Sequence, residues 1–125
     1  MQELDFHSNS ITTEGMYKLM VCLKTNNKVR ALNISRNQIA SDLKMFRMMQ
    51  KFLNCNKVLE TLNLSFCNIN DKAGAMIGKG LRGNRFLQTL ILKGNPIKEG
   101  VVEIARAFLE NKKALTIKEL DLSKC

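Results

Sequence analysis

Five segments of the chain carry one pattern at near-constant spacing. LDFHSNSI, LNISRNQI, LNLSFCNI, LILKGNPI and LDLSKC begin at Leu4, Leu32, Leu62, Leu90 and Leu120, 28 or 30 residues apart. Such a period constrains the fold more than any bulk property. One supersecondary unit must fit into each repeat and bury its apolar face against the next copy.

The content of the unit follows from two periodicities. Within each segment apolar residues stand two apart, as in Leu62 and Leu64 or Leu90 and Leu92, which is the alternation of a strand. Between segments the spacing is helical. Met16, Leu19, Met20 and Leu23 form one stripe, and Val101, Ile104, Ala105 and Phe108 another. Ala73, Met76, Ile77 and Leu81 make a third; Met45, Met49 and Leu53, broadened by Phe46 and Phe52, make the fourth. Each repeat is thus a short strand, a turn and a helix with one apolar face. Stacking gives a parallel sheet, a helix layer and a core running between them. The second repeat has two extra residues before its helix and the fourth has three after its own, so loops are expected to bulge there.

This pattern resembles the leucine-rich repeat of the ribonuclease-inhibitor-like type, which reads roughly LxxLxLxx(N/C)xI followed by a helix. Val29, Leu59, Leu87 and Ile117 stand three residues before the last four strand leucines, and Gly15 and Gly100 match the helix-start glycine. The resemblance covers essentially the whole chain. It implies an α/β right-handed solenoid, a horseshoe of about four and a half repeats in one domain over 1–125. The parallel sheet lies on the concave side and the helices on the convex side. It also implies that Asn9, Asn37, Cys67, Asn95 and Cys125 point inward where the chain leaves each strand, because unpaired backbone groups there would cost about 1–3 kcal/mol each. Cys22 then takes a small-residue packing position on its helix, and Cys55 is the exposed thiol.

Catalytic and cofactor chemistry find no support in the sequence. The four cysteines include no CxxC pair, so zinc-knuckle spacing is missing and free thiols in a cytoplasmic setting are expected. GAMIGKGLRG lacks the GxxxxGK[ST] order of a phosphate loop; its glycines read as close helix–helix approach. The single histidine, His7, lies at a strand position on the open face with no nucleophile nearby in sequence. No apolar run reaches the roughly 20 residues of a membrane span.

Binding is the remaining class. The net charge of +9, from 20 Lys and Arg against 11 Asp and Glu, attracts acidic partners. Strand positions between core residues face the open side, and Asn33, Ser35, Asn63, Ser65, Ile91 and Lys93 are expected to contact a partner there. The cations gather elsewhere, where each helix leads into the next strand: Lys24, Lys28, Arg30, Lys51, Lys57, Arg82, Arg85, Lys112 and Lys113. Helix-end complementation accounts for one cation per helix, and the surplus reads as a basic edge for an acidic protein. Nucleic acid ranks below it, since only Phe86 offers an aromatic near these clusters. The expected function is a protein-interaction scaffold in a larger intracellular assembly, cytoskeletal or ciliary. Regulation of a small GTPase, as by the Ran GTPase-activating protein, and a sensor segment of an immune-receptor-like protein are the alternatives. Neither end carries a polar cap, so continuation of the array or end-to-end association is expected.

Overall fold

In the computed structural model, which describes residues 2–39, 42–110, 117 and 119–125, strands and helices alternate along the chain. The strands are β1 (Gln2–Asp5), β2 (Val29–Asn33), β3 (Thr61–Asn63), β4 (Thr89–Ile91) and β5 (Glu119–Asp121). The helices are α1 (Thr13–Leu23), α2 (Leu43–Cys55), α3 (Asp71–Leu81) and α4 (Val101–Glu110), the last entered through a 3₁₀ turn at Lys98–Gly100. All neighbouring strands pair in parallel, in the order of the chain. Leu4 stands opposite Leu32, Leu32 opposite Leu62, Leu62 opposite Leu90 and Leu90 opposite Leu120. The repeat leucines therefore form one row across the sheet, as the shared pattern requires.

Side-chain caps start the first three helices. Thr12 Oγ1 accepts from the Gly15 amide at 3.0 Å, Asp42 Oδ1 from Lys44 at 2.9 Å and Asn70 Oδ1 from Ala73 at 2.9 Å. Such N-caps are worth about 1 kcal/mol each. The strands contribute Leu32, Leu62 and Leu90 to the core, the residues just after them Ile34, Leu64 and Leu92, and the helices add Met16, Met20, Met45, Phe46, Met49, Ile77, Leu81 and Ile104, all buried. Each fully buried aliphatic or aromatic side chain contributes about 1.5–3 kcal/mol, and the core is shared between neighbouring repeats.

The glycine-rich helix α3 lies between α2 and α4. A Cβ on Gly78 would come within 2.5 Å of the Glu103 carbonyl carbon, and one on Gly80 within 3.0 Å of the Gln50 carbonyl oxygen. Close approach on both sides explains the glycines that the sequence places inside a helix.

Two expectations about helix faces need correction. Val101 and Ala105 are exposed, and α4 instead buries Ile104 and Ala107, with Phe108 half-buried. The face of α4 that meets α3 is set by the backbone approach at Gly78. Cys22 is exposed rather than packed, because among the described residues α1 has a helix on one side only. The extra residues before α2 fall at 40–41 and those after α4 at 111–116, outside the described residues.

Candidate functional site

The open face and the loop edge are both held in place by buried asparagines. Asn37 Oδ1 accepts from the amides of Asn9 at 3.1 Å and Ile11 at 2.8 Å, while its Nδ2 donates to the carbonyls of Phe6 and Ile34, each at 2.8 Å. Asn95 repeats this two turns later, beyond Cys67. It accepts from Cys67 at 2.8 Å and Ile69 at 3.1 Å and donates to Leu64 and Leu92. Both are fully buried, as is Cys67, so the inward slots at 37, 67 and 95 are as expected. Asn9 and Cys125 are exposed at the two end positions, although the Cys125 thiol still donates to the Leu92 carbonyl at 3.1 Å.

Cysteine in the slot alters the wiring. Its sulfur donates to the Ile34 carbonyl at 3.2 Å but is a poor acceptor. Ile39, whose counterparts Ile11 and Ile69 bond to an asparagine side chain, turns instead to the Asn37 carbonyl at 2.9 Å. Ile97, next to the Cys125 slot, does the same with Asn95 at 2.8 Å. Burial pushes the Cys67 thiol up to about 11, against the opposing pull of the Asn37 and Arg36 amides.

The sheet's outer face is organised by a second recurrent device. Asp5, Asn33, Asn63 and Asp121 each accept, through Oδ1, from the amide two residues on, at 2.9–3.0 Å. Asn33 and Asn63 therefore spend an acceptor on their own strand ends, and Ser35 and Ser65, expected on the open face, are buried to 7% and 8% exposure. Ile91 replaces the Asn or Asp in β4 and leaves a half-buried apolar side chain beside half-buried Lys93. A shallow depression of about 200 Å³ runs across β1 to β4, lined by Asp5, Ala31, Asn33, Thr61, Asn63 and Ile91 among others. Carboxylates mark the outer strands. The backbone amide of His7, then its ring, hold Asp5 below the ordinary carboxylate range; the Ser123 hydroxyl and amide do so for Asp121.

The loop edge rests on three asparagines that the sequence reading passed over. Asn26, Asn56 and Asn84 each sit three residues before Val29, Leu59 and Leu87, and this recurrence at intervals of 30 and 28 was the available signal. Asn56 Oδ1 accepts from Val58 and Leu59 at 3.0 and 2.8 Å, and its Nδ2 donates to the Leu23 carbonyl at the end of α1. Asn84 accepts from Phe86 and Leu87 and donates to the Leu53 carbonyl of α2. Asn26 accepts from Lys28 and Val29, both at 2.8 Å.

These clamps divide the expected cations into two groups. Arg30 is paired with Glu60 at 3.4 Å, and Arg82 with Glu103 at 3.1 Å and Glu110 at 3.4 Å. Both arginines are therefore already neutralised within the chain. Lys51 is exposed within α2 rather than in a loop. Lys24, Lys28, Lys57 and Arg85 stand at the loops with no ion pair among the described residues, Lys24 half-buried and the others exposed. Lys112 and Lys113 lie outside the described residues. A hollow of about 360 Å³ between the first two loops is lined by Lys24, Asn26, Cys55, Lys57 and Val58, among others.

Among the described residues there is no group of His, Cys, Asp and Glu able to hold a metal ion, and no helix long and apolar enough to cross a membrane. His7 Nδ1 lies 2.6 Å from Asp5 Oδ1, both side chains being more than half exposed. The surfaces described can hold another chain through charge, shape and a few apolar contacts.

A family model described as leucine-rich repeat matches residues 1–20, 25–42 and 55–78. No curated protein matches the sequence. Among solved structures, actin-binding site 2 of leiomodin-1 is similar with a TM-score of 0.79 and 23% identity, over 98% of this chain and 70% of that one. The tropomodulin C-terminal domain from Caenorhabditis elegans is similar with a TM-score of 0.69 and 15% identity, over 90% of this chain and 64% of that one. At these identities the likeness is one of fold. Period, leucine register, inward asparagines and family match agree: the chain is a leucine-rich-repeat protein.

Proposed function

We propose that the chain is a protein-interaction module, a structural part of a larger cytoskeletal or ciliary assembly, and a binding protein rather than an enzyme. Its repeats belong by length to the ribonuclease-inhibitor-like class, with the sheet as the concave side. The observation that carries the proposal is the row of exposed Lys28, Lys57 and Arg85 on loops fixed by Asn26, Asn56 and Asn84. Cations on neighbouring pinned loops, with no ion pair among the described residues, form a field that an acidic protein surface can neutralise at several points at once. The depression over Ile91 supplies a second contact on the sheet face. The cytoskeletal part is supported by the fold shared with a leiomodin-1 segment named as an actin-binding site, which makes actin the first partner to try.

Capture from cell extract tests this. The wild-type chain is expected to retain a specific set of proteins at low salt and to lose most of it at high salt, as exposed charges are screened over about 8–10 Å. Substituting Lys28, Lys57 and Arg85 by Glu together should lose the same set, and I91D should weaken it. Co-sedimentation with actin filaments, compared between wild type and the triple variant, examines the named candidate. A retained set indifferent to salt and to both variants overturns the proposal.

A further inference from the structure

Phe86 is 41% exposed, and its exposure is enforced. Asn84 Oδ1 holds the amides of both Phe86 and Leu87, at 2.9 and 2.8 Å, while Leu87 is buried in the core. Inward Leu87 leaves the preceding side chain facing out from a pinned backbone. The same register position holds half-buried Val58 in the loop before and exposed Lys28 in the loop before that, each with its amide on the corresponding asparagine. One position earlier stand exposed Lys57 and Arg85. The edge is therefore more than a row of charge. It places an aromatic and an aliphatic side chain beside two cations, on loops that lose little freedom on binding.

We infer that this edge takes an acidic segment of a partner protein that also carries an apolar side chain, seated on Phe86 with Val58 beside it. The inference rests on the basic-edge reading above and deepens it. Rigid aromatic side chains next to arginine are the groups that concentrate binding energy in protein interfaces, and preorganised loops reduce the ordering cost. A single-stranded nucleic acid would require successive aromatics for base stacking, and the three described loops present one.

Fluorescence anisotropy with three labelled probes tests it: a peptide of ten glutamates, the same peptide with a central leucine, and a ten-nucleotide oligothymidylate. The leucine-bearing peptide is expected to bind about tenfold more tightly than the plain one, the gain from burying one aliphatic side chain. Phe86→Ser should abolish that gain without altering the thermal unfolding of the chain, and K57E with R85E should weaken both peptides. Equal binding of the two peptides overturns the inference while leaving the basic edge standing. Failure of both peptides to bind overturns the edge as well. Tighter binding of the oligonucleotide, lost in Phe86→Ser, overturns the choice of a protein partner.

Discussion

Asn95 and Cys67 occupy equivalent slots and support the chain to different extents. Asn95 satisfies two amides and two carbonyls in the interior, so N95A should destabilise by about 3 kcal/mol or more, given about 1–3 kcal/mol for each buried group left unpaired. C67A should cost less, since its sulfur donates weakly and Ile39 already uses a backbone acceptor; paired urea titrations compare the two. Cys67 also predicts a pH dependence. Its folded pKa is raised from 9.0 to about 11, so the folded state holds the proton that the unfolded state releases. Stability should be full below about 9 and fall as the pH climbs to 11, by about 1.4 kcal/mol per unit at most, and C67A should lack this loss. The sequence made these slots legible because Asn and Cys recur at one offset from the strand leucine. It could not show how the wiring differs, because acceptor strength acts on a neighbouring repeat nearly 30 residues away in the chain.

The helices show what periodicity can and cannot settle. Glycines inside α3 were readable as sites of close approach, and the contacts agree: a Cβ at Gly78 would strike the backbone of α4. G78A should therefore destabilise by about 2 kcal/mol, overpacking outweighing the roughly 1 kcal/mol gain in helix propensity. Gly15, whose Cβ would meet nothing nearer than 3.4 Å, should gain up to about 1 kcal/mol as alanine. Thermal unfolding of both variants would show the opposite signs. The buried face of α4 was not readable in the same way. Positions 101, 104, 105 and 108 satisfy a helical stripe as well as 104, 107 and 108 do, and only the neighbour's surface decides between them. The turn after each strand was likewise hidden. Ser8, Arg36, Phe66, Gly94 and Lys124 all adopt left-handed φ of 54–72°, and glycine marks only one of the five. Gly94 is glycine for a second reason, since the Phe66 ring, itself under the Arg36 guanidinium at 4.6 Å, lies against it.

Across the whole molecule the charge sorts into structural and available parts. Counting cations along the sequence could not make that division, because the carboxylates that neutralise them come from other repeats. Arg82 reaches Glu103 and Glu110 on α4 and ties it to the end of α3. R82A should lower stability by about 1 kcal/mol, the upper range for a partly exposed pair extended into a network. R85A should stay within about 0.5 kcal/mol of wild type. Chemical denaturation of the two single variants makes that comparison, and equal losses would erase the distinction between the two groups.

The buried asparagines also give the array a direction. Asn37 reaches back to Phe6, Asn9 and Ile11, Asn95 to Leu64, Cys67 and Ile69, Asn56 to Leu23 and Asn84 to Leu53. Each unit completes the one made before it. On the ribosome, where the N-terminal part emerges first, the turn at residues 9–11 must wait for an asparagine 26–28 residues further on. A nascent chain halted with residues 9–11 outside the ribosome and Asn37 still inside would hold that turn unformed and solvated, open to chaperones and proteases until synthesis resumes.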